Sequence, residues 1–272
     1  MEQPCFFHDG LGHRIAGLLA TPDRPTDRVA VLCHGFLSHK NSTTNKTLTR
    51  VLNERGIATL RFDFFGHGES QGPFEDITTT IGIAQAVAAL DEAVSRGFGR
   101  IGLVGSSFGG LVSIHAAARW PNHCAMQRES GKERLPLACL ALKCPVVDFG
   151  EELRLEFGEG GIADWKTSDT IPNLLGGAGR IRLRYQFYED CLGLIAYEPA
   201  RNIVAPTLIV HGDCDELVPV EQSHRLLDSL AGQKRLELLP GADHQFSKGE
   251  DFRRMTSLLA DWVSQHLAST AH

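Results

Sequence analysis

Short apolar runs rich in branched side chains recur along the chain, separated by longer stretches with helical spacing. The runs are nearly continuous rather than alternating, which is typical of strands covered on both faces. The predicted strands are Val29–Cys33, Ile57–Asp63, Ile101–Gly105, Pro136–Val147, Pro206–His211 and Arg235–Leu239. Because they alternate with helical stretches, we expect an α/β fold with a mostly parallel, doubly wound sheet.

The helical stretches end at glycine or before proline in several places, and both residues commonly terminate helices. The predicted helices are Asn45–Arg55, Ile77–Arg96, Phe108–Arg119, Glu221–Leu230 and Asp251–Leu267. The N-terminal segment differs, since short alternating segments flank Gly10 and Gly12. That pattern favours an antiparallel hairpin at one edge of the sheet.

The alternation of strands and helices is interrupted between about Asp148 and Ala200, where we find no strand-like run. The segment contains the glycine-rich stretch 176–179, interpreted as a hinge, and a basic and aromatic stretch, Arg180–Tyr188. Because ligands bind at the carboxyl ends of such strands, an insertion there is predicted to be a lid or cap. A surface excursion without function is the alternative.

Three arginines in this segment, Arg180, Arg182 and Arg184, alternate with Ile181 and Leu183. A charged stripe usually faces water, so we expect a solvated face. Contact with an acidic acyl or leaving group is the alternative.

The sharpest chemical signal is Gly105-Ser106-Ser107-Phe108-Gly109, which follows a predicted strand and precedes a predicted helix. This is the G-x-S-x-G motif in the context it requires. A sharp turn from strand to helix strains the central residue and crowds the positions two residues away, which favours glycine there. Ser107 has glycine two positions away on both sides, whereas Ser106 does not. Ser107 is therefore the predicted nucleophile.

A nucleophilic serine needs a base and an orienting carboxylate. The chain order nucleophile, acid, base leaves His224, His244 and His266 as candidates for the base. His224 and His266 lie in predicted helices and are expected at the surface. His244 follows the last predicted strand in a glycine-containing loop, where catalytic groups collect, and is the predicted base.

The acid should come from the loop after Pro206–His211. Asp213, Asp215 and Glu216 all offer a carboxylate there. One of them can cap the following helix or stay hydrated. Spacing alone leaves the choice open, with Asp215 only modestly ahead.

The loop after the first predicted strand, His34-Gly35-Phe36-Leu37, is expected to supply one oxyanion donor. Glycine lets the main chain approach the reacting centre, so the Phe36 N–H can point at it, with the Phe108 N–H as its partner. His34 and Gly35 are expected beside the bound substrate. His34 is an alternative base, but the chain order favours a ring that hydrogen-bonds locally and supports the loop.

Composition and charge exclude several classes of function. The 272 residues carry a net charge of −6 and no long basic block, which argues against nucleic-acid binding. Seven cysteines without a CxxC pair indicate reduced, mostly buried thiols and a cytoplasmic protein. The N-terminus lacks the pattern of a signal peptide, and no apolar span is long enough to cross a membrane.

No cofactor or metal is expected, because histidines and cysteines do not converge on ligand spacing. His34 with His39, and Cys139 with Cys144, are interpreted as loop and core residues. The glycine-rich stretch lacks the Lys-Ser/Thr ending of a phosphate-binding loop. The expected partner is a small-molecule ester, and the expected assembly is a monomer or a homodimer.

Separated motifs together resemble the α/β-hydrolase superfamily. They are His34–Phe36, Asp63–Ser70, Gly105–Gly109, His211–Pro219 and Gly241–Phe246. In that family the motif G-x-x-D-x-x-V-P carries the triad acid at its fourth position, which here is Asp215. The resemblance implies a core of residues 1–147 and 201–272, a cap of residues 148–200, and a structural turn at 63–70.

The predicted cap and the amino-acid sequences of two motifs are similar to those of cinnamoyl/feruloyl esterase-like hydrolases. One departure is Ser106, because the residue before the nucleophile is often histidine in such enzymes. The resemblance implies hydrolysis of carboxylic esters, including aryl or hydroxycinnamoyl-type acyl esters, through an acyl-enzyme. An acyl thioesterase or small serine peptidase on the same triad is one alternative, and a ligand-binding protein on the same fold is another.

Overall fold

A computed structural model of the chain describes residues 1–128, 136–173 and 179–268. The strands are β1 (Glu2–His8), β2 (Arg14–Ala20), β3 (Arg28–Cys33), β4 (Ala58–Phe62), β5 (Arg100–Ser106), β6 (Cys139–Lys143), β7 (Thr170–Pro172), β8 (Arg180–Arg182), β9 (Thr207–Gly212) and β10 (Lys234–Leu239). The helices are α1 (Thr43–Glu54), α2 (Thr79–Ser95), α3 (Phe108–Arg128), α4 (Phe149–Ser168), α5 (Gln186–Leu192), α6 (Tyr197–Ala200), α7 (Val220–Ser229) and α8 (Gly249–Leu267).

Eight strands form one sheet in the order β1-β2-β4-β3-β5-β6-β9-β10. The pairings from β4 to β10 are parallel, whereas β1 with β2 and β2 with β4 are antiparallel. The mostly parallel sheet and the N-terminal hairpin at its edge are therefore confirmed. β4 and β6 are buried at every position, which explains why their sequences are continuously apolar rather than alternating.

Helices cover both faces of this sheet. α2 and α3 pack on one face around residues such as Leu90 and Leu111, and α1 and α8 pack on the other around Leu52 and Leu259. Burial of apolar side chains in two layers is the main stabilising contribution of such an arrangement. No helix within the described ranges is long and apolar enough to cross a membrane.

The helix after the predicted nucleophile is longer than expected. We expected it to end at Arg119, before Pro121, but α3 continues through that proline to Arg128. A proline inside a helix removes one main-chain hydrogen bond. Trp120 and Cys124, on either side of it, are buried, and their packing on the core favours continuation of the helix.

The segment 148–200 lies between β6 and β9, and its described residues, 148–173 and 179–200, add no strand to the large sheet. The expectation of no strand here was wrong, because β7 and β8 pair antiparallel as a separate ribbon. Each strand has only three residues, too few for a recognisable alternation. The predicted glycine-rich hinge falls on residues 176–179, of which only Gly179 is among the described residues.

The arginine stripe of this segment faces solvent and forms ion pairs. Arg180 pairs with Asp164 at 2.7 Å, and Arg182 and Arg184 pair with Glu75 and Asp76 of a neighbouring 3₁₀ turn. The solvated-face interpretation is the one that the structure supports. Exposed pairs of this kind contribute little stability individually, but two of them join residues 148–200 to the rest of the chain.

Candidate active site

The turn from β5 into α3 has the geometry of a nucleophile elbow. Ser107 occupies left-handed backbone space with φ 53°, which is strained for a serine. A Cβ atom at Gly105 would lie 2.4 Å from the Gly109 carbonyl oxygen, and one at Gly109 would lie 2.4 Å from the oxygens of Cys33 and His34. Only glycine fits at either position, as the motif predicted.

Three distant loops bring Ser107, His244 and Asp215 together. The Ser107 Oγ lies 3.1 Å from His244 Nε2, and His244 Nδ1 lies 2.7 Å from Asp215 Oδ2. A carboxylate only accepts hydrogen bonds, so Nδ1 carries the ring proton and Nε2 is free to accept from the Ser107 hydroxyl. The side chains of His244 and Asp215 are almost fully buried. This is the geometry of a Ser-His-Asp triad.

Asp215 is held by donors from several directions. Its Oδ1 accepts from the N–H groups of Leu217 and Val218, and its Oδ2 lies 3.0 Å from His211 Nε2. Burial acts to raise the pKa of Asp215, but the hydrogen bonds from His211 and His244 outweigh it and lower that pKa. Asp215 is therefore ionised at neutral pH and able to stabilise a cationic His244.

The competing carboxylates and histidines have other partners. Asp213 accepts from the Gly241 N–H at 2.6 Å, and Glu216 accepts from the main-chain N–H of His244 at 3.2 Å. Both therefore support the loop that carries His244 and do not contact its ring. His224 is exposed on α7, and His266 packs on Trp262 in α8.

The loop after β3 lies against the elbow, as expected for an oxyanion donor. A Cβ atom at Gly35 would lie 3.4 Å from the Ser107 Cβ, so the main chain of this loop passes close to the nucleophile. Phe36 follows it, and its ring packs on Phe108 at 5.7 Å between centroids. The structure thus brings the loop that carries Phe36 next to Ser107 and packs its ring on that of Phe108.

His34 supports this loop through both ring nitrogens. Its Nε2 accepts from the Phe64 N–H at 3.0 Å, so its proton lies on Nδ1, which faces the Gly35 oxygen at 2.8 Å. Burial, with a smaller contribution from His67, lowers the pKa of His34 to about 3. His34 is therefore a neutral loop support on the cavity wall and not a base.

The turn at residues 63–70 is structural, as the resemblance implied. The buried Asp63 carboxylate accepts from the main-chain N–H groups of Lys40 and Glu69 and is paired with the Lys40 ammonium. Since Phe64 in this turn binds His34, the turn fixes the loop that carries Phe36.

A cavity of about 560 Å³ opens onto Ser107 and His244. The 34–37 loop lines this cavity, and so do Phe149 and Glu152 of α4. Phe149 also packs on Phe36, with 5.7 Å between ring centroids. α4, the first helix of residues 148–200, thus contributes to the lining of the cavity, and a volume of this size suits a small organic ligand.

The sequence did not reveal two buried ionisable residues that line this cavity, Lys143 and Glu152. Burial raises the pKa of Glu152 well above its ordinary value, and the carboxylates of Glu156 and Asp215 act in the same direction. Its Oε2 has no hydrogen-bond partner among the described residues. In the sequence, only the position of Lys143 inside an apolar run indicated its burial. Nothing in the sequence of α4, which is largely polar, indicated burial of Glu152.

One group of side chains has the spacing of metal ligands. Potential ligand atoms of Cys144, Asp215 and His244 lie within 4.8 Å of one another. Burial raises the pKa of Cys144 far above its ordinary value, so the residue is a thiol rather than the thiolate that metals prefer. His244 and Asp215 are already paired with each other. The donor set therefore does not fit a resident cation well.

The sheet order, the elbow at Ser107 and the triad geometry are those of an α/β hydrolase. Comparison with known sequences agrees with this class. A model of the alpha/beta hydrolase family matches residues 30–254, and the chain belongs to that family. The expected fold and superfamily are thereby confirmed. Members of the family use this sheet to support many different chemistries, so the substrate has to be argued from the site.

Several relatives and solved structures are similar to most of the chain. A monoacylglycerol lipase of Mycolicibacterium smegmatis is 26% identical, over 94% of this chain and 95% of the lipase. The mitochondrial palmitoyl-protein thioesterase ABHD10 of Mus musculus is 23% identical, over 85% of this chain and 73% of its own. Est1E of Butyrivibrio proteoclasticus, solved with ferulic acid bound, is 25% identical with a TM-score of 0.79, covering 97% of this chain and 100% of its own.

Proposed function

We propose that the protein hydrolyses carboxylic esters through an acyl-enzyme formed on Ser107. The observation that carries this proposal is the single imidazole of His244, which contacts both Ser107 and Asp215 at hydrogen-bond distance. That contact supplies a nucleophile with its base and the base with its orienting carboxylate.

In the proposed reaction, His244 Nε2 removes the Ser107 proton as Oγ attacks the ester carbonyl. The main-chain N–H groups of Phe36 and Phe108 stabilise the oxyanion, and Asp215 stabilises the imidazolium. His244 then protonates the leaving alcohol, and the acyl group stays on Ser107. A water molecule, deprotonated by His244, releases the acid and restores the serine.

The acyl group that fits best is one of aryl or hydroxycinnamoyl type. Aromatic rings, including those of Phe36 and Phe149, line the cavity, and they suit a flat apolar group. Protonated Glu152 on the same cavity can donate a hydrogen bond to a hydroxyl on that group. The similarity to Est1E, which binds ferulic acid, supports the same substrate class.

Thioester hydrolysis is the second candidate, favoured by the similarity to ABHD10. Ester and thioester hydrolysis use the same triad and differ in the pocket and leaving group. A matched comparison of kcat/KM on an aryl acyl ester and its thioester decides between them. We expect a higher kcat/KM for the ester when the two substrates carry the same acyl group. A clear preference for the thioester would instead make thioester hydrolysis the proposed function.

Replacing the nucleophile tests the reaction itself. Ser107→Ala is expected to lower ester turnover by about 10⁶-fold, the loss typical of a triad without its nucleophile. Ser106→Ala is the matched control, because Ser106 is the neighbouring serine on the same cavity, whereas His244 Nε2 contacts the Ser107 hydroxyl. Wild-type rates in Ser107→Ala would rule out the proposed acyl-enzyme.

A further inference from the structure

Lys143 is a buried lysine at the last position of β6, a strand whose other residues are apolar. Its residue exposure is 5%, and it borders the cavity beneath Ser107 and His244. In the sheet it pairs with Ser106, the residue before the proposed nucleophile. Lys143 thus lies beside the end of the strand that leads to Ser107 and on the same cavity as His244.

This one residue contacts the segments that carry both the nucleophile and the base. The Lys143 main-chain oxygen accepts from the Ser107 N–H at 2.9 Å. Its Nζ donates to the main-chain oxygen of His244 at 2.8 Å and lies 5.4 Å from the centre of the Phe246 ring. The main chain on either side of the Ser107–His244 hydrogen bond is therefore tied to the same residue.

Both segments need such an anchor. Ser107 and Phe246 each have φ of 53°, in left-handed space that is unfavourable for their side chains. Strained backbone persists only where surrounding contacts hold it in place. The ammonium of Lys143 supplies a charge-assisted hydrogen bond to the loop that carries His244 and Phe246.

Apart from this hydrogen bond, a buried lysine is unfavourable for stability. Burial lowers the pKa of Lys143, and nearby Cys144, Asp215, Asp243 and Glu216 only partly offset this effect. An apolar side chain of similar length would fill the space without the desolvation of an ammonium group.

We propose that Lys143 is a positioning residue, which holds the His244 loop so that Nε2 stays within hydrogen-bond reach of Ser107 Oγ. The inference rests on the proposed function, because it assigns Lys143 a task in the reaction of Ser107 with esters. It gives Lys143 no contact with the reacting atoms.

The test replaces the ammonium with a thioether of similar length. For Lys143→Met we expect kcat to fall roughly ten- to a hundredfold, the effect of one charge-assisted hydrogen bond. KM should stay within about threefold, and the melting temperature should be unchanged or higher. Labelling of Ser107 by a fluorophosphonate should slow in parallel with kcat, because that reaction also needs the aligned serine and histidine.

Lys248→Met is the matched control. Lys248 Nζ also donates to a main-chain oxygen of this loop, that of Gly241 at 3.1 Å, but it is exposed and lies outside the cavity. We expect its kcat to remain at the wild-type value.

A Lys143→Met protein with kcat within threefold of wild type would overturn the inference. So would a loss of activity that follows a lowered melting temperature or failure to fold, since Lys143 would then serve the fold. The proposed function fails in a different way, through unchanged turnover in Ser107→Ala, so the two failures are distinguishable.

Discussion

The two walls of the cavity differ in how their polar groups are paired. On the wall formed by the sheet loops, Asp215, His244 and His34 each have defined partners that fix their protonation or orientation. On the wall formed by α4, the Oε2 atom of the buried Glu152 has no partner among the described residues. The proposed function assigns the reaction to the first wall, and it assigns to the second a hydrogen bond to a polar group of the ligand.

Substitutions on the two walls should therefore have different effects on the kinetics. Changes among the paired groups should lower turnover of every substrate alike, because these groups perform the proposed reaction or support the loops that perform it. Changes at Glu152 should alter the preference between substrates and leave the basic rate in place.

Between the two walls, the larger effect is expected on the loop side, from Asp215→Asn. The amide cannot stabilise the imidazolium and favours the wrong tautomer of His244, so kcat should fall by about 10⁴-fold. Steady-state kinetics on two unrelated esters checks this result. Asp213→Asn is the matched control, since Asp213 binds the Gly241 N–H and not the ring. Equal activities of the two variants would mean that Asp215 is not the triad acid.

A smaller effect is expected on the α4 side, from Glu152→Leu. We expect wild type to prefer an aryl acyl ester that carries a hydroxyl over the same ester without it. Loss of one hydrogen bond should reduce that preference by roughly tenfold in kcat/KM, with little change for the plain ester. Glu159→Leu, at an exposed position of α4, is the control. A preference that survives in Glu152→Leu would contradict the role given to Glu152.

The smallest effect is a difference in stability that depends on pH. A carboxyl group whose pKa is raised by folding keeps its proton in the native state while the unfolded chain loses it, so stability falls as pH rises above the unfolded value of about 4.3. Glu152→Gln removes this loss. Its melting temperature should exceed that of wild type at pH 7 and match it near pH 4. The same difference at both pH values would show that ionisation of Glu152 is not its cause.

The sequence was most informative where main-chain geometry demands one residue type. Gly105 and Gly109 are required by the close contacts of the elbow, so Ser107 could be predicted from its neighbours alone. Spacing could not choose among Asp213, Asp215 and Glu216, because all three lie on one loop and the choice depends on which carboxylate faces the His244 ring. The family motif was needed to favour Asp215.

The sequence was least informative for residues 148–200 and for buried charged residues. The strands β7 and β8 are too short to show a period, and the extension of α3 past Pro121 depends on packing of Trp120. In the sequence, Lys143 and Glu152 cannot be distinguished from exposed charged residues. Only the fold shows that both line a cavity. Burial and pairing are properties of the tertiary structure, so local pattern alone did not identify them.

Mass spectrometry after reaction with a fluorophosphonate ester shows which residue is the nucleophile. We expect one phosphonyl group on the peptide that contains Ser107. This label should be absent in Ser107→Ala and should form much more slowly in His244→Ala. A folded protein that stays unlabelled, or that carries the group on another residue, would contradict the assignment of Ser107 as the nucleophile.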